Sequence, residues 1–407
     1  MNRPVLQELY LFTKITIMKK LLTLLMTVCF CLSVFAQSGQ TTKTITWGDN
    51  ERQYIEYVPA NVSNPAPVLF VLHGLGDDMS NMFNSTGFKA IADAHGWIVV
   101  IPQALEAIVE IPMMGSTSIG TAWNSGVSGN IPIVGNIVVN ENVDDAGFLL
   151  AILDDLIATY NVDQNNVFST GFSMGGFMSN RMAIEHADRF KAIASVSGTI
   201  GNVVSNATPS RHINTMHFHG TADEMVSYEN AELSYSGISF SVGLGAEATV
   251  DFWKNANGCA ATPSTYNFPD NASDGLTFEK FQYDNANEGI KTVFVKVNGG
   301  THTWYYTPNN DIDYTTEIYN FFASCMGPTS VGEVAFPTVN VYPNPTKDML
   351  HVEAENITNI QVYNALGQLM VSTTSTDIPV SSYSEGLYTV SVTFANGRVL
   401  TRKVMVK

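Results

Sequence analysis

The chain has 407 residues, 45% of them hydrophobic and only 14% charged, with a formal net charge of -17. That length allows a sizeable core plus an accessory module, and the composition excludes a disordered or fibrous chain. The acid is concentrated between residues 37 and 338, which hold 31 acidic and 11 basic residues. Such a surface repels nucleic acid and anionic membranes, so neither is expected as a partner.

The N-terminus has the layout of an export signal. Lys19-Lys20 precede the apolar run "LLTLLMTVCFCLSVFA", and Val34-Phe35-Ala36 offers a small-residue cleavage site, which sets a signal peptide over 1–36. Met18 is an alternative start to Met1. The run is short for a membrane span, and no later segment has the ~18 uninterrupted apolar residues that one needs. No integral membrane segment is therefore expected once the signal is removed.

From about Thr44 to Cys325, short apolar runs alternate with segments of helical period, the signature of an α/β sheet. Strands are expected at "PVLFVL" (67–72), "WIVVIP" (97–102), "NVFST" (166–170), "FKAIASVS" (190–197), "TMHFH" (215–219) and "KTVFVKV" (291–297). The segment "DDAGFLLAILDDLIATY" sets Phe148, Leu149, Ile152, Leu153, Leu156 and Ile157 on one helical face. Further helices are expected at "GGFMSNRMAIEHAD", "ATVDFWKNANG" and "YTTEIYNFFASC". Residues 104–140 are rich in Gly, Ser and Met without clear period, and read as a long loop of the kind that lines a site.

After Cys325 the texture changes. A Gly- and Pro-containing stretch, 327–338, reads as a linker between a catalytic domain at 37–326 and a small β-sandwich at 339–407. The latter is marked by the short alternating runs "MLHVE", "NIQVY", "GQLMVSTT", "GLYTVSVTF" and "RVLTRKVMV", with Asn396-Gly397 as a hairpin signal.

Four groups with catalytic chemistry fall at the carboxyl ends of predicted strands, where open α/β sheets gather their sites. Ser173 lies in Gly171-x-Ser173-x-Gly175, between a strand and a helix, as a nucleophile on a tight turn would. Asp223 follows "TMHFH", with Glu224 beside it as the alternative acid, and His302 follows "KTVFVKV". The fourth group, His73-Gly74, ends "PVLFVL"; its expected role is to shape the turn so that the Leu75 amide points at an oxyanion, with the Met174 amide as second donor. Serine acyl transfer needs a nucleophile, a base, an acid that orients the base, and such donors. The order Ser…Asp…His is that of the α/β-hydrolases.

Residues from about 50 to 325 resemble the secreted polyhydroxybutyrate depolymerase and feruloyl esterase family of α/β-hydrolases. The matching stretches are "LHGLGDD", "TAWNSG", "VDDAGFLLAILDDL", "VFSTGFSMGGFMSNRMA", "HFHGTADEMVSY" and "NGGTHTW". The resemblance implies Ser173, Asp223 and His302 as a triad. It implies ester substrates in feruloylated or acetylated polysaccharide or in hydroxyalkanoate polyester, and no cofactor. The tail, with "VYPNPTKDMLHVE", "IQVYNALGQLM" and "EGLYTVSV", resembles the C-terminal sorting domain of the bacterial type IX secretion system. That implies the type IX machinery as a partner and delivery to the bacterial surface or beyond.

Other positions carry weaker expectations. Trp123 and Trp304 are candidate substrate contacts, with His73 beside them, although aromatic rings there could equally pack a loop onto the core. No metal is assigned, because "DNANEG" (284–289) places Ala286 where a calcium loop needs an oxygen ligand. Removal of the signal leaves Cys259 and Cys325, which in an exported protein favour one disulfide over two free buried thiols. A serine peptidase on the same fold and a non-catalytic surface-binding protein are the alternatives to an esterase.

Overall fold

The apolar runs assemble into one mixed sheet with helices on both faces. The computed structural model describes residues 38–111, 115–131, 135–235, 238–326, 339–354, 357–394 and 399–407. The expected signal peptide (1–36), the linker (327–338) and the Asn396-Gly397 turn lie outside the described residues. The large sheet contains β1 (Gly39–Trp47), β2 (Asn50–Val58), β3 (Ala66–Leu72), β4 (Ile98–Pro102) and β5 (Val162–Phe172). It continues through β6 (Ala192–Val196), β7 (Asn214–Gly220), β8 (Ser264–Asn267), β9 (Thr277–Asn285) and β10 (Ile290–Asn298). The spatial order is β1-β2-β4-β3-β5-β6-β7-β10-β9-β8. The stretch from β4 to β10 is parallel throughout, and antiparallel strands extend it at both edges.

A strand covered on both faces reads as an unbroken apolar run, and β3 is buried along its whole length. Its side chains alternate between layers: Val68, Phe70 and Leu72 join one core, Leu69 and Val71 the other. On the first face pack α3 (Asp145–Thr159), α4 (Met174–Glu185) and Trp253 of α5 (Ala246–Ala256). On the second pack α1 (Met79–Ser85), α2 (Phe88–His95) and α6 (Tyr314–Cys325). The apolar face expected on α3 is the one it buries, each full burial being worth about 1.5–3 kcal/mol. The start of α3 is fixed twice. Asp144 caps it by accepting from the Gly147 amide at 2.8 Å, and Asp145 forms a buried ion pair with Arg52 at 2.7 Å.

Two expectations are corrected. Residues 104–140 are not one irregular loop but contain two β-hairpins, Leu105–Ile111 with Gly115–Ala122 and Ser128–Ile131 with Gly135–Val138. The hairpins satisfy backbone groups locally, which the high Gly and Ser content concealed from a reading based on hydrophobic period. The expected disulfide does not form: Cys259 and Cys325 are both free. Cys259 follows α5 and lies 3.8 Å from Thr292 Oγ1, whereas Cys325 ends α6 and is buried in the core on the other face. Burial pushes the Cys325 thiol up to about 11, so it stays protonated at neutral pH.

The chain divides into two compact units, the second running from Gly327 to Lys407. In that unit a three-stranded sheet (Asn340–Tyr342, Met349–Glu353, Asp377–Pro379) faces a four-stranded one (Ile357–Tyr363, Leu369–Thr373, Gly386–Phe394, Val399–Val406). Leu350, Val352 and Ile378 of the first meet Ile360, Val390 and Val404 of the second in a core of their own. Among the described residues, no helix is long and apolar enough to cross a membrane.

Candidate active site

β5 ends at Phe172 and α4 begins at Met174, so Ser173 makes the whole turn by itself. It does so at φ 53° and ψ -118°, a region that costs a residue with a side chain about 1–3 kcal/mol. The flanking glycines are a steric requirement of this turn. A Cβ on Gly171 would lie 2.4 Å from the Gly175 carbonyl, and one on Gly175 would lie 2.1 Å from Leu72 O. The turn is held by the Ser173 amide donating to Val196 O at 2.8 Å and by the Gly176 and Phe177 amides donating to Ser173 O.

Asp223 sits on the turn after β7, with its side chain fully buried. Oδ1 accepts from the Met225 and Val226 amides, each at 2.9 Å, and Oδ2 lies 2.8 Å from His302 Nδ1. Burial pushes this carboxyl up, but the hydrogen bond and charge of His302, the Val226 amide and His219 together outweigh it. The net result holds Asp223 below the usual carboxylate range, and it is ionised at neutral pH. The neighbouring Glu224 is exposed, and of the two acids it is Asp223 that lies against His302. The loops bearing Asp223 and His302 are tied by the Thr221 amide to Val297 O and the Ala222 amide to Gly300 O, both 2.9 Å. The Phe172 ring packs on His302 at 4.8 Å between centroids.

Ser173 and His302 open into one cleft of about 190 Å³, together with Leu75 and Met174. Its remaining wall is almost wholly apolar: Phe172, Phe177, Val127, Met225, Val226 and Val242. Asp77 is the one acidic residue among the described residues that line it.

Two of the three expected substrate contacts, His73 and Trp123, are corrected. His73 is fully buried, its Nε2 accepts from the Ala104 amide at 3.0 Å, and its Nδ1–H donates to Gly74 O at 2.8 Å. Burial also lowers its basicity, so this tautomer is neutral. Trp123 is fully buried too and donates from Nε1 to His73 O at 2.8 Å. Trp304 packs against Phe88, Phe172 and Tyr314, donates to Thr315 Oγ1, and is not part of the cleft wall. His73 and Trp123 therefore shape the turn that carries Leu75, which the Gly76 amide further pins to Thr121 O at 2.8 Å. The wall residues were not singled out from sequence. Met225 and Val226 could have been, because they directly follow Asp223. Val127 and Val242 had no local signal.

The arrangement offers a hydroxyl on a strained turn, an imidazole anchored by an ionised carboxylate, and an apolar recess beside them. Among the described residues, no group of three His, Cys, Asp or Glu side chains is placed to hold a metal ion.

Residues 54–249 match the phospholipase/carboxylesterase family, and residues 340–407 match the secretion system C-terminal sorting domain. The chain is 26% identical over 245 residues to the putative esterase NocK of Nocardia uniformis subsp. tsuyamanensis, covering 58% of this chain and 65% of that one. It is 28% identical over 190 residues to feruloyl esterase B of Piromyces equi, covering 45% and 31% respectively. The chain thus spans less than two thirds of the length of these curated relatives. An acetyl xylan esterase from Aspergillus awamori superposes with a TM-score of 0.47 at 14% identity, over 70% of this chain and 99% of that one. Sheet order and strand-end placement are those of an α/β-hydrolase fold, and they agree with the match of residues 54–249 to the phospholipase/carboxylesterase family and of residues 340–407 to the secretion system C-terminal sorting domain.

Proposed function

We propose that the chain is a serine carboxylesterase that acts through an acyl-enzyme. The observation that carries this reading is the convergence of Ser173, on its strained turn, and the buried Asp223–His302 pair at one apolar cleft. In this reading Ser173 Oγ attacks the ester carbonyl while His302 Nε2 takes its proton. Asp223 holds the imidazolium that forms, and the proton then passes to the departing alcohol. Water, deprotonated by the same imidazole, releases the acid and restores the serine.

The oxyanion is assigned to the amides of Leu75 and Met174. Both residues border the cleft, and the adjacent amides of Ser173, Gly76, Gly176 and Phe177 are already engaged. Met174 opens α4, where first-turn amides lack intrahelical acceptors. One such donor is typically worth about 2.7–4 kcal/mol in the transition state.

For the substrate, the apolar wall, with Asp77 as the acidic residue among its described lining, favours a neutral acyl group over an anionic one. Acetyl or feruloyl esters of plant polysaccharide and hydroxyalkanoate polyester all meet that condition. The relative named as a feruloyl esterase supports the feruloyl esters. The sorting domain supports export by the type IX system to the cell surface or medium. The test is hydrolysis of p-nitrophenyl acetate, methyl ferulate, acetylated xylan and polyhydroxybutyrate film, with a peptide anilide as control. Turnover of the esters with an inert anilide is expected. Cleavage of the anilide alone would replace this reading by a peptidase.

A further inference from the structure

Behind Asp223 lies a chain of polar side chains that the reaction as described does not use. His217 and His219 are alternate residues of β7, and both are buried with Ser195 of β6, which is paired with His217 across the sheet. Ser195 Oγ is 2.7 Å from His217 Nδ1, and His217 Nε2 is 3.2 Å from His219 Nδ1. His219 Nε2 is 2.9 Å from Val226 O and 3.6 Å from Asp223 Oδ2. A carbonyl only accepts, so His219 Nε2 carries a proton. In the neutral ring Nδ1 must then accept, which places the His217 proton on Nε2 and turns the Ser195 hydroxyl toward His217 Nδ1. One carbonyl thus fixes the direction of every hydrogen bond in the chain. Burial, which lowers the basicity of both rings, agrees with their being neutral.

The carbonyl in question belongs to a residue with two further duties. The Val226 amide donates to Asp223 Oδ1, and its side chain forms part of the cleft wall. From this geometry we infer that His219 is a positioning residue. It anchors the 223–226 turn through Val226 O, and so sets both the direction of the Asp223 carboxylate toward His302 and the position of the adjacent wall. His217 and Ser195 hold His219 in the tautomer that can donate. This inference rests on the reading of Asp223 as the acid that orients His302. A backbone carbonyl is a stronger claim on the Nε2 proton than a carboxylate at 3.6 Å, so Oδ2 remains available to His302.

Two measurements test it, both on the full chain. Nitrogen NMR of histidine-labelled wild-type protein is expected to find His219 neutral with its proton on Nε2; a proton on Nδ1 alone, or a charged ring, overturns the inference without any variant having to fold. For His219→Leu, expressed per titrated active site on p-nitrophenyl acetate, kcat is expected to fall about 10- to 100-fold, as misplacement by about an ångström costs. The far-downfield proton resonance of the His302–Asp223 hydrogen bond should shift or broaden with it. His219→Gln, which keeps an N–H donor, should recover most of the loss. A kcat for His219→Leu within twofold of wild type with that resonance unmoved overturns the inference, as does a His219→Gln as slow as His219→Leu. If the variants do not fold, the tautomer decides. Asp223→Asn is the separate control: if it leaves kcat unchanged, the reading of Asp223 itself has failed, whatever His219 does.

Discussion

The two units each hold a histidine–aspartate pair of nearly the same length, in very different settings. His302 Nδ1 lies 2.8 Å from Asp223, whose side chain is 0% exposed and receives two backbone amides. His351 Nδ1 lies 2.6 Å from Asp377, but these side chains are 42% and 63% exposed, on neighbouring strands of the small β-sandwich. Water competes for every polar atom of the second pair, and so exposed a contact contributes little. The first carboxylate is desolvated, oriented by the 225–226 amides, and faced by an imidazole that opens onto the cleft shared with Ser173. A short distance is common to both pairs; burial, orientation and a neighbouring serine hydroxyl distinguish the one proposed to be catalytic.

That contrast can be broken most directly at the nucleophile. Ser173→Ala should lower kcat by about 10⁴- to 10⁶-fold while leaving circular dichroism unchanged. Turnover within tenfold of wild type, per intact protein, would remove Ser173 from its role. The next effect compares the two acids. Asp223→Asn should cost about 10⁴-fold in kcat, because the amide selects the wrong imidazole tautomer, whereas Asp377→Asn should leave kcat/KM on soluble esters unchanged. Equal effects of the two substitutions would erase the distinction drawn between the pairs.

A smaller effect concerns pH. Asp223 is held below the usual carboxylate range, so it stays ionised between pH 5 and 8, and a rate that needs an unprotonated base should not fall over that interval. A rate that falls over that interval would contradict a histidine base. Stability should rise with pH for a separate reason. Burial depresses the basicity of His73, His217 and His219 in the folded state. Below about pH 6.5 the unfolded chain binds protons that these rings refuse, so stability is lost as pH falls from there, by up to about 1.4 kcal/mol per unit for each ring. Denaturant melts of the hydrolase unit at pH 7 and 5 measure this slope. The C-terminal unit has no histidine so deeply buried, and its transition should lack that contribution. The smallest effect is expected from removing the second unit. Among the described residues it has a core cluster of its own, so deletion of 327–407 should leave kcat/KM on p-nitrophenyl acetate within about twofold. A large loss would mean that the two units depend on one another.

Much of the hydrolase unit was legible because its signals are local. "PVLFVL" and "NVFST" are apolar runs because strands covered on both faces need nothing else, and α6 spans Tyr314–Cys325 as its periodicity predicts. The spacing around Ser173 follows from contacts within five residues, where a Cβ on Gly171 would strike Gly175. Short strands such as Asn340–Tyr342 and Asp377–Pro379 were not anticipated, because three residues are too few to display a period. The hairpins at 105–138 escaped for a related reason: their strands expose much of their surface and carry no strong alternation.

The sequence by itself determined the α/β class, the turn at Ser173 and the chain order Ser…Asp…His, since each depends on neighbouring residues and on backbone sterics. Only the tertiary structure decided which side chains share a space. It put Val127 and Val242 on the wall of one cleft, turned Trp123 into packing, and left Cys259 and Cys325 free rather than bonded to each other. It also aligned Ser195, His217 and His219 behind Asp223. Those outcomes depend on how elements far apart in the chain pack across the sheet, and one residue's hydrophobicity or spacing carries no record of the partner that packing will bring to it.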